Sequence, residues 1–391
     1  MNDIRRTILW VIFGFSMVLL WDQWQVHNGK KATFFPSPAQ QVAPAAVGAS
    51  GPLPAASDAG VPAAVAQAGT AMAPVAPVAP AAPKERFEVT TDVLKLTFDT
   101  EGGSLVRTEF LKYSDMADKT RNFVLLDDSK DRVYMAQTGV IAGAAGGAFP
   151  THKTPMAVTG ERVLKEGANE LVVKFTSPDV GGIKLVKTYT LRRGAYDATV
   201  KHELTNTSTA AIAPQLYLQL VRDGNKPAGE SSFYSTFTGP AVYTEAKKYQ
   251  KAEFSDIKKK NVDVEKQASN GYIAMVQHYF ASAWILPDGM QRNLSLDAVD
   301  IGASVPDCCY RATMIAPLEA IAPGATKVVD AKFFAGPQEE KMLESLAPGL
   351  ELVKDYGWLT ILAKPLYWLL DKLHSFIQNW GWSIVALVLL L

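Results

Sequence analysis

The amino-acid sequence predicts a mainly β protein, a large two-sheet sandwich carried between an apolar N-terminal helix and a C-terminal amphipathic helix. Three observations support this prediction. Apolar residues alternate with a period of two in many short runs between residues 85 and 340. An uncharged apolar segment follows two arginines at the start of the chain. A pattern with helical spacing leads into an apolar run at its end.

Composition narrows the function classes. The 391 residues are enough for one large or two ordinary domains, and 39 basic residues balance 39 acidic ones. Binding to nucleic acid needs a concentrated basic surface, so this balance argues against it. The two cysteines, Cys308 and Cys309, are adjacent. Because Cα atoms across a trans peptide lie about 3.8 Å apart, below the usual disulfide range, we expect two ordinary thiols.

The first helix is predicted from the apolar segment Ile4–Trp24, whose stretch from Thr7 to Trp21 is uncharged. Its length is marginal for crossing a bilayer. Arg5 and Arg6 precede it, so the positive-inside rule places the N-terminus in the cytoplasm and the following residues outside. A cleaved signal peptide has the same order, but no small-x-small cleavage site follows directly. We therefore assign residues 1–30 to a transmembrane anchor.

Residues 31–84 form a predicted linker. From Pro36 to Pro83 the chain consists almost entirely of Ala, Pro, Val, Gly, Ser and Gln, with Asp58 as its only charge. Such a composition cannot build a core, and repeated proline favours extended polyproline II. We expect a semi-rigid tether that lets the next domain stand off from the membrane.

The β domain is predicted over residues 85–340. Its alternating runs, punctuated by Gly, Pro and Asn-rich turns, indicate antiparallel strands packed into a sandwich. The alternating residues are Leu94, Leu96 and Phe98; Leu171, Val173 and Phe175; Ile183, Leu185, Tyr189 and Leu191; Tyr196, Ala198, Val200, His202 and Leu204; and Leu216, Leu218 and Leu220. A short helix is expected from Gln338 to Leu346, ahead of Pro348 and Gly349.

Connecting and interfacial helices are predicted over residues 341–380. Lys364-Pro365 suggests a helix start, because proline is tolerated in a first helical turn. The helix would be amphipathic, with one bulky apolar stripe and a polar arc. The stripe is Leu366, Leu369, Leu370, Leu373, Ile377 and Trp380, and the arc is Asp371, Lys372, Ser375 and Gln378. The apolar run that follows favours a helix lying in the membrane interface.

Residues 381–391 are predicted to begin a second transmembrane helix. This apolar run covers roughly 15 Å as a helix, about half of a bilayer. We therefore expect a spanning segment that is cut in its middle, and a longer parent protein.

Catalytic motifs are scarce in the sequence. We find no phosphate-binding loop, no nucleophile elbow and no zinc-binding His-Glu-x-x-His helix. The five histidines show no ligand spacing. His202, Glu203 and His278 are the candidates for an acid/base set, although unremarkable strand or surface histidines are the simpler interpretation.

Several motifs together resemble the YidC-type membrane protein insertases of Gram-negative bacteria. They are the segment Gly271–Ile285, the segment Phe237–Tyr243, Val353-Lys-Asp-Tyr-Gly-Trp358, His374-Ser-Phe376 and Asn379-Trp-Gly-Trp-Ser383. The resemblance covers nearly the whole chain apart from the linker. It implies a first transmembrane helix, a periplasmic β-supersandwich similar to galactose mutarotases, an interfacial helix and then a transmembrane core.

The resemblance also implies the function. Such proteins insert and chaperone inner-membrane proteins, alone or with Sec translocon components, and they are not enzymes. The implied partners are nascent inner-membrane proteins, the Sec translocon and the lipid bilayer, with nucleic acid involved only through translating ribosomes. The implied location is the bacterial inner membrane, with a cytoplasmic N-terminus and residues 31–360 in the periplasm. No cofactor, catalytic residue or metal ligand is expected, and the family's groove residues would lie beyond Leu391.

Two alternatives stay open at this point. A sugar enzyme or carbohydrate-binding domain would use the mutarotase-like fold and need the histidine and glutamate candidates in one cleft. A docking domain for other export components would need only a surface. A shared fold does not establish a shared function.

Overall fold

The computed structural model describes residues 60–63, 85–142, 148–227, 237–354 and 360–390. The chain divides into two compact units, Met1–Ala56 and Ser57–Leu391, and the described residues belong to the second. The predicted anchor (1–30), most of the predicted linker and the Asp355–Trp358 motif lie outside the described residues.

A first sheet of nine antiparallel strands forms one half of the fold. Its strands are β1 (Arg86–Thr90), β2 (Leu94–Asp99), β3 (Ser104–Ser114), β4 (Asn122–Asp128), β5 (Val133–Ala142), β10 (Pro214–Arg222), β13 (Gln267–Ala268), β16 (Arg292–Ala298) and β17 (Tyr310–Pro317). They lie in the order β1-β2-β3-β4-β5-β10-β17-β16-β13 within the described residues. Strand β10 is therefore central, between β5 and β17.

A second nine-stranded antiparallel sheet packs against the first. Its strands are β6 (Ala157–Gly160), β7 (Glu170–Val180), β8 (Ile183–Arg192), β9 (Asp197–Asn206), β11 (Gly239–Thr244), β12 (Lys248–Lys251), β14 (Tyr272–Gln277), β15 (Phe280–Ile285) and β18 (Thr326–Pro337). Their order is β12-β11-β14-β15-β18-β9-β8-β7-β6 among the described residues. Together the two sheets confirm the predicted β sandwich.

The core lies between the sheets and contains the predicted alternating residues. Leu94, Leu96 and Phe98 from β2 and Leu171, Val173 and Phe175 from β7 are all buried there. Most of the alternating apolar residues of β8, β9 and β10 are buried in the same cluster, and Ile183 at the start of β8 is buried outside it. Period-2 patterning therefore identified the inward faces of these strands correctly.

Part of each outer face of the sandwich is also covered, which the sequence did not predict. Every residue of β10 is buried, including those that point away from the core. One small cluster on the outer face of the first sheet contains Val221, Val305 and Cys309, and another contains Tyr217 with Val61 packed against it. On the second sheet the segment that follows β18 covers the outer face of β11, β14 and β15.

The helices are few and mostly C-terminal. They are α1 (Phe254–Lys258), α2 (Glu340–Leu346), a 3-10 turn (Leu350–Val353), α3 (Thr360–Ile377) and α4 (Trp380–Leu390). Helix α2 confirms the short helix expected from Gln338, with a start two residues later. Helix α3 begins before Pro365, which lies inside it, so the prediction that Pro365 occupies the first turn is wrong. Proline is tolerated there at the cost of one main-chain hydrogen bond.

The adjacent cysteines also differ from expectation. The structure joins Cys308 and Cys309 in a disulfide, with a cis peptide between them, rather than leaving two thiols. Our expectation assumed a trans peptide.

Candidate functional site

The outer face of β11, β14 and β15 forms a flat platform made by two of the sequence motifs. Gly271–Ile285 folds into the β14–β15 hairpin, and the motif that begins at Phe237 supplies β11 beside it. Ala241, Ala274 and Ala283 stand side by side across the three strands, and each is fully buried. Because alanine side chains are small, α2 and the 3-10 turn can pack closely on this surface through Leu343, Leu350 and Val353.

Two tyrosines hold the 3-10 turn on the platform. The rings of Tyr243 and Tyr272 stack in parallel with their centroids 5.3 Å apart. Tyr272 donates a hydrogen bond from its hydroxyl to the Gly349 main-chain oxygen at 2.7 Å. Gly349 has φ +76°, and a Cβ there would lie 2.2 Å from the Tyr243 ring. Glycine is therefore required where the chain leaves α2.

Helix α3 is tied to α2 by charged side chains. Lys341 Nζ lies 3.0 Å from both carboxylate oxygens of Asp371. Lys354 Nζ lies 4.4 Å from the centroid of the Tyr367 ring and 3.9 Å from Glu340 Oε2. The Asp371 carboxylate raises the pKa of Lys341 above its ordinary value. These contacts connect the β sandwich to the C-terminal helices.

A sharp corner joins α3 to α4, and the Asn379-Trp-Gly-Trp-Ser motif builds it. Gln378 has φ +56°, which ends α3. Asn379 Oδ1 then accepts a hydrogen bond from the Trp382 N–H at 3.3 Å. Asn379 is therefore the N-cap residue of α4. Across the corner the rings of His374 and Trp380 stack at 3.7 Å. Ser383, fully buried, donates from Oγ to the Asn379 main-chain oxygen at 2.8 Å.

The two helices expose much apolar surface. The exposed fraction is 62% for Trp368, 92% for Phe376 and 66% for Trp382, and Val388 and Leu389 are also exposed. A contiguous exposed apolar surface marks a contact with a membrane or a partner. Indole rings favour the interface, where they meet both hydrocarbon and water. Among the described residues, no helix combines the length and apolar character needed to cross a bilayer.

The acid/base candidates do not converge. His202 on β9 is opposite Val329 of β18, whereas Phe280, two residues after His278, is opposite Pro337 of the same strand. Eight residues of strand separate these positions by about 26 Å. Glu203 points away from the face that carries His202, because neighbouring strand residues alternate.

His202 instead lies in the interior between the sheets. Its Nε2 is 3.0 Å from Thr138 Oγ1, and burial with a neighbouring lysine lowers the pKa of His202 to about 3. The ring is therefore neutral at physiological pH, and its surroundings are those of a core histidine.

A buried lysine lies beside His202 and was not anticipated from the sequence. Lys187 on β8 is fully buried, and its Nζ donates to the main-chain oxygens of Gly102 and Thr138 at 2.6 Å each. Burial lowers the pKa of Lys187 to about 7. Position 187 falls in phase with Leu185 and Tyr189 on the apolar face of β8, a signal that was present in the sequence.

A cavity of about 330 Å³ opens between the second sheet and the end of α2. Its lining includes Tyr243, Tyr272, Leu286, Asp288 and Asp330. Neither Lys187 nor His202 lines it. In the parts of the chain that the structure describes, no three His, Cys, Asp or Glu side chains group to hold a metal ion.

Solved structures with a related fold are distant. A galactose mutarotase-related enzyme from Lactobacillus acidophilus matches with a TM-score of 0.41 at 6% identity, over 64% of this chain and 97% of its own. A putative aldose 1-epimerase from Escherichia coli K12 matches with a TM-score of 0.39 at 10% identity, over 65% of this chain and 100% of its own. Both scores lie below 0.5, so neither bears on what this chain does.

Sequence relatives are much closer. The family described as "YidC periplasmic domain" matches residues 86–369. A protein named "Membrane protein insertase YidC" from Bordetella parapertussis is 48% identical over 392 residues, covering 100% of this chain and 68% of the relative. Its namesake from Cupriavidus taiwanensis is 52% identical over 396 residues, with the same coverage. The chain therefore belongs to the YidC family of membrane protein insertases.

Proposed function

We propose that this chain works in the insertion and folding of membrane proteins, as an insertase and chaperone. The observation that carries the proposal is its similarity, along its whole length, to relatives named as membrane protein insertases. The apolar surface of α3 and α4 supports it, because a protein that receives membrane segments must itself contact the bilayer.

The proposed arrangement follows the family. Residues 1–30 anchor the chain in the bacterial inner membrane with the N-terminus in the cytoplasm, and residues 31–84 link the anchor to a periplasmic β domain at 85–340. Residues 341–380 supply the connecting and interfacial helices, and 381–391 enter the bilayer. The contacts of Lys341 with Asp371 and of Lys354 with Tyr367 support this, because they fix the interfacial helix to the connecting segment that packs on the β domain.

The proposed partners are nascent inner-membrane proteins, Sec translocon components and the lipid itself, with ribosomes only as the source of the nascent chain. The proposed activity makes and breaks no covalent bond and uses no cofactor. The sugar-enzyme alternative needs an acid/base pair in one cleft, and the separation of His202 from His278 weighs against it.

Depletion of the full-length protein in its own host tests the proposal. Pulse-labelling should show slower insertion of membrane proteins with short exported segments, and re-expression of the same gene should restore the rate. Insertion at the normal rate after depletion would contradict the proposed function. Binding of the purified chain to one member of a sugar panel would instead favour the carbohydrate alternative.

A further inference from the structure

A short piece of the predicted linker lies on the outer face of the first sheet. Gly60 and Pro62 are buried and Val61 is half-buried, whereas Ala63 is exposed. Val61 packs against Ile141, Tyr217 and Ile315, which belong to β5, β10 and β17. The Ala/Pro-rich linker therefore has a point of contact with the β domain near its middle.

One main-chain oxygen anchors this piece. The Gly60 carbonyl accepts a hydrogen bond from Gln219 Nε2 at 3.1 Å and a second from Arg311 Nη1 at 3.0 Å. The two donors come from neighbouring strands, β10 and β17. Hydrogen bonds from a charged donor are stronger than neutral ones, and a carbonyl oxygen has two lone pairs to receive them.

Other side chains hold both donors in place. Arg311 is 8% exposed, and its Nε and Nη2 donate to Asp297 Oδ2, which leaves Nη1 directed at Gly60. Gln219 is fully buried, and its Nε2 also donates to Gln137 Oε1 at 2.7 Å. Because their orientations are fixed without the linker, the donors form a preorganised site.

The floor of the site is shaped for an extended chain. The Tyr217 ring lies across Gly139, where a Cβ would be 2.4 Å from the Tyr217 hydroxyl. That hydroxyl is 2.9 Å from the His152 main-chain nitrogen and 2.7 Å from His152 Nδ1. The ring is thereby held flat, and Val61 rests in the apolar depression formed with Ile141 and Ile315. We call this surface, with Gln219 and Arg311, the linker groove.

The linker supplies one sequence that fits. Gly60 has φ +93°, a conformation that side chains with a Cβ rarely adopt, and a Cβ there would lie 3.4 Å from both His152 and Ile301. Between Pro36 and Pro83, Gly60-Val61-Pro62 is the only glycine followed two residues later by proline. Pro62 favours the extended backbone that carries the chain out of the groove.

We propose that the linker groove is a docking site for Gly60-Val61-Pro62 of the chain's own linker, so that the tether is fixed at its middle. Residues 31–59 then act as the tether, and residues 64–84 return from the groove to β1. In polyproline II, 54 linker residues could reach about 165 Å, whereas the segment before the groove could reach about 90 Å. Docking thus sets how far the β domain can move from its anchor.

The accessibility of residue 61 tests this proposal in the full chain. Val61→Cys should react with a maleimide in native protein about tenfold more slowly than in urea, because the thiol is covered while the linker is docked. Gly60→Val, which leaves the sheet untouched, should raise the native rate of the Val61→Cys protein about tenfold. Replacing both donors of the linker groove, Gln219→Leu with Arg311→Met, should raise the native rate of the Val61→Cys protein by a similar factor. The unsubstituted chain is the blank for this reaction, because its two cysteines are joined in a disulfide and offer no free thiol.

Matched controls separate undocking from unfolding. Ala63→Val changes an exposed neighbour in the same segment, and Arg107→Met removes an arginine of the first sheet that pairs with Asp127 and not with the linker. Both should leave the rate at residue 61 unchanged, and circular dichroism should match for all variants. Equal rates in native protein and urea would overturn the proposal, as would a native rate that neither Gly60→Val nor the groove variant changes.

Discussion

Lys187 reaches across the sandwich and joins one sheet to the other. It belongs to β8 of the second sheet, and its two acceptors, Gly102 and Thr138, belong to the first-sheet side of the core. Both acceptors are uncharged main-chain oxygens, and burial lowers the pKa of Lys187 to about 7. A charged amine in this position costs folding free energy that a neutral one does not.

The pH dependence of stability should therefore carry the signature of Lys187. Between pH 7 and 10.5 the unfolded chain holds a proton on this lysine that the native chain has released, so the free energy of unfolding rises with pH in this window. From pH 7 to 9 the contribution is about 2 kcal/mol. Lys187→Met should remove it, as measured by urea unfolding at both pH values.

Lys184→Met is the matched control for this measurement. Lys184 lies on the same strand and is exposed. Its replacement should leave the difference in unfolding free energy between pH 7 and pH 9 as in the unsubstituted chain. An unchanged pH dependence in Lys187→Met would show that the native amine stays protonated through neutral pH.

Lys187 and its buried neighbour His202 show how much the sequence could reveal about single residues. Lys187 and His202 both fall on the apolar phase of their strands, among Leu185, Tyr189 and Val200, so their burial follows from period-2 patterning. The two residues are directly opposite each other in the β8–β9 pair, so their proximity follows from the register of neighbouring strands. Their shared contact with Thr138 could not be predicted, because Thr138 lies on a strand of the other sheet more than forty residues away. Contacts between sheets depend on packing that local patterns do not encode.

At the scale of elements, the corner between α3 and α4 is built by local contacts. Asn379 caps α4, and the His374–Trp380 stack closes the angle between the helices. Asn379→Ala should weaken the cap by about 1 kcal/mol, because the Trp382 N–H loses its side-chain acceptor. Hydrogen exchange at Trp382 should then accelerate about fivefold.

Asn379→Asp is the conservative comparison for the cap. Aspartate keeps an acceptor oxygen at the N-cap and adds a charge that suits the N-terminus of a helix. Exchange at Trp382 should stay at or below its original rate. If Asn379→Ala exchanges no faster than Asn379→Asp, the packing of Trp380 on His374, rather than the cap, fixes the corner.

The strands could be predicted from the sequence more readily than the segments that cover the outer faces of the sheets. Leu216, Leu218 and Leu220 identified the inward face of β10 from alternation alone. The opposite face of the same strand, with Tyr217 and Gln219, is buried by the linker piece at Gly60, more than 150 residues away. That piece looked like a spacer because its composition cannot build a core, and four residues added to an existing surface need no core of their own.

For the molecule as a whole, apolar surface is distributed unevenly. In the β sandwich, exposed large apolar residues such as Val172 and Val328 are scattered on different strands, whereas those of α3 and α4 follow one another along the chain. Scattered exposure is normal for a protein surface, and continuous exposure marks a contact. The platform on β11, β14 and β15 is the base from which the helices present this surface.

A fluorescent probe on α3 can show whether that contact is with lipid. Phe376→Cys labelled with the environment-sensitive dye NBD places the probe at the most exposed apolar position of the helix, and Val172→Cys places it on the β sandwich. In vesicles of phosphatidylcholine and phosphatidylglycerol, the probe at 376 should emit at shorter wavelength and be quenched by brominated acyl chains, since it would lie among them. The probe at 172 should emit as in water and resist quenching. If the probe at 376 also emitted as in water and resisted quenching, α3 would not lie in the interface. Its exposed apolar stripe would then have to be the binding surface for another protein.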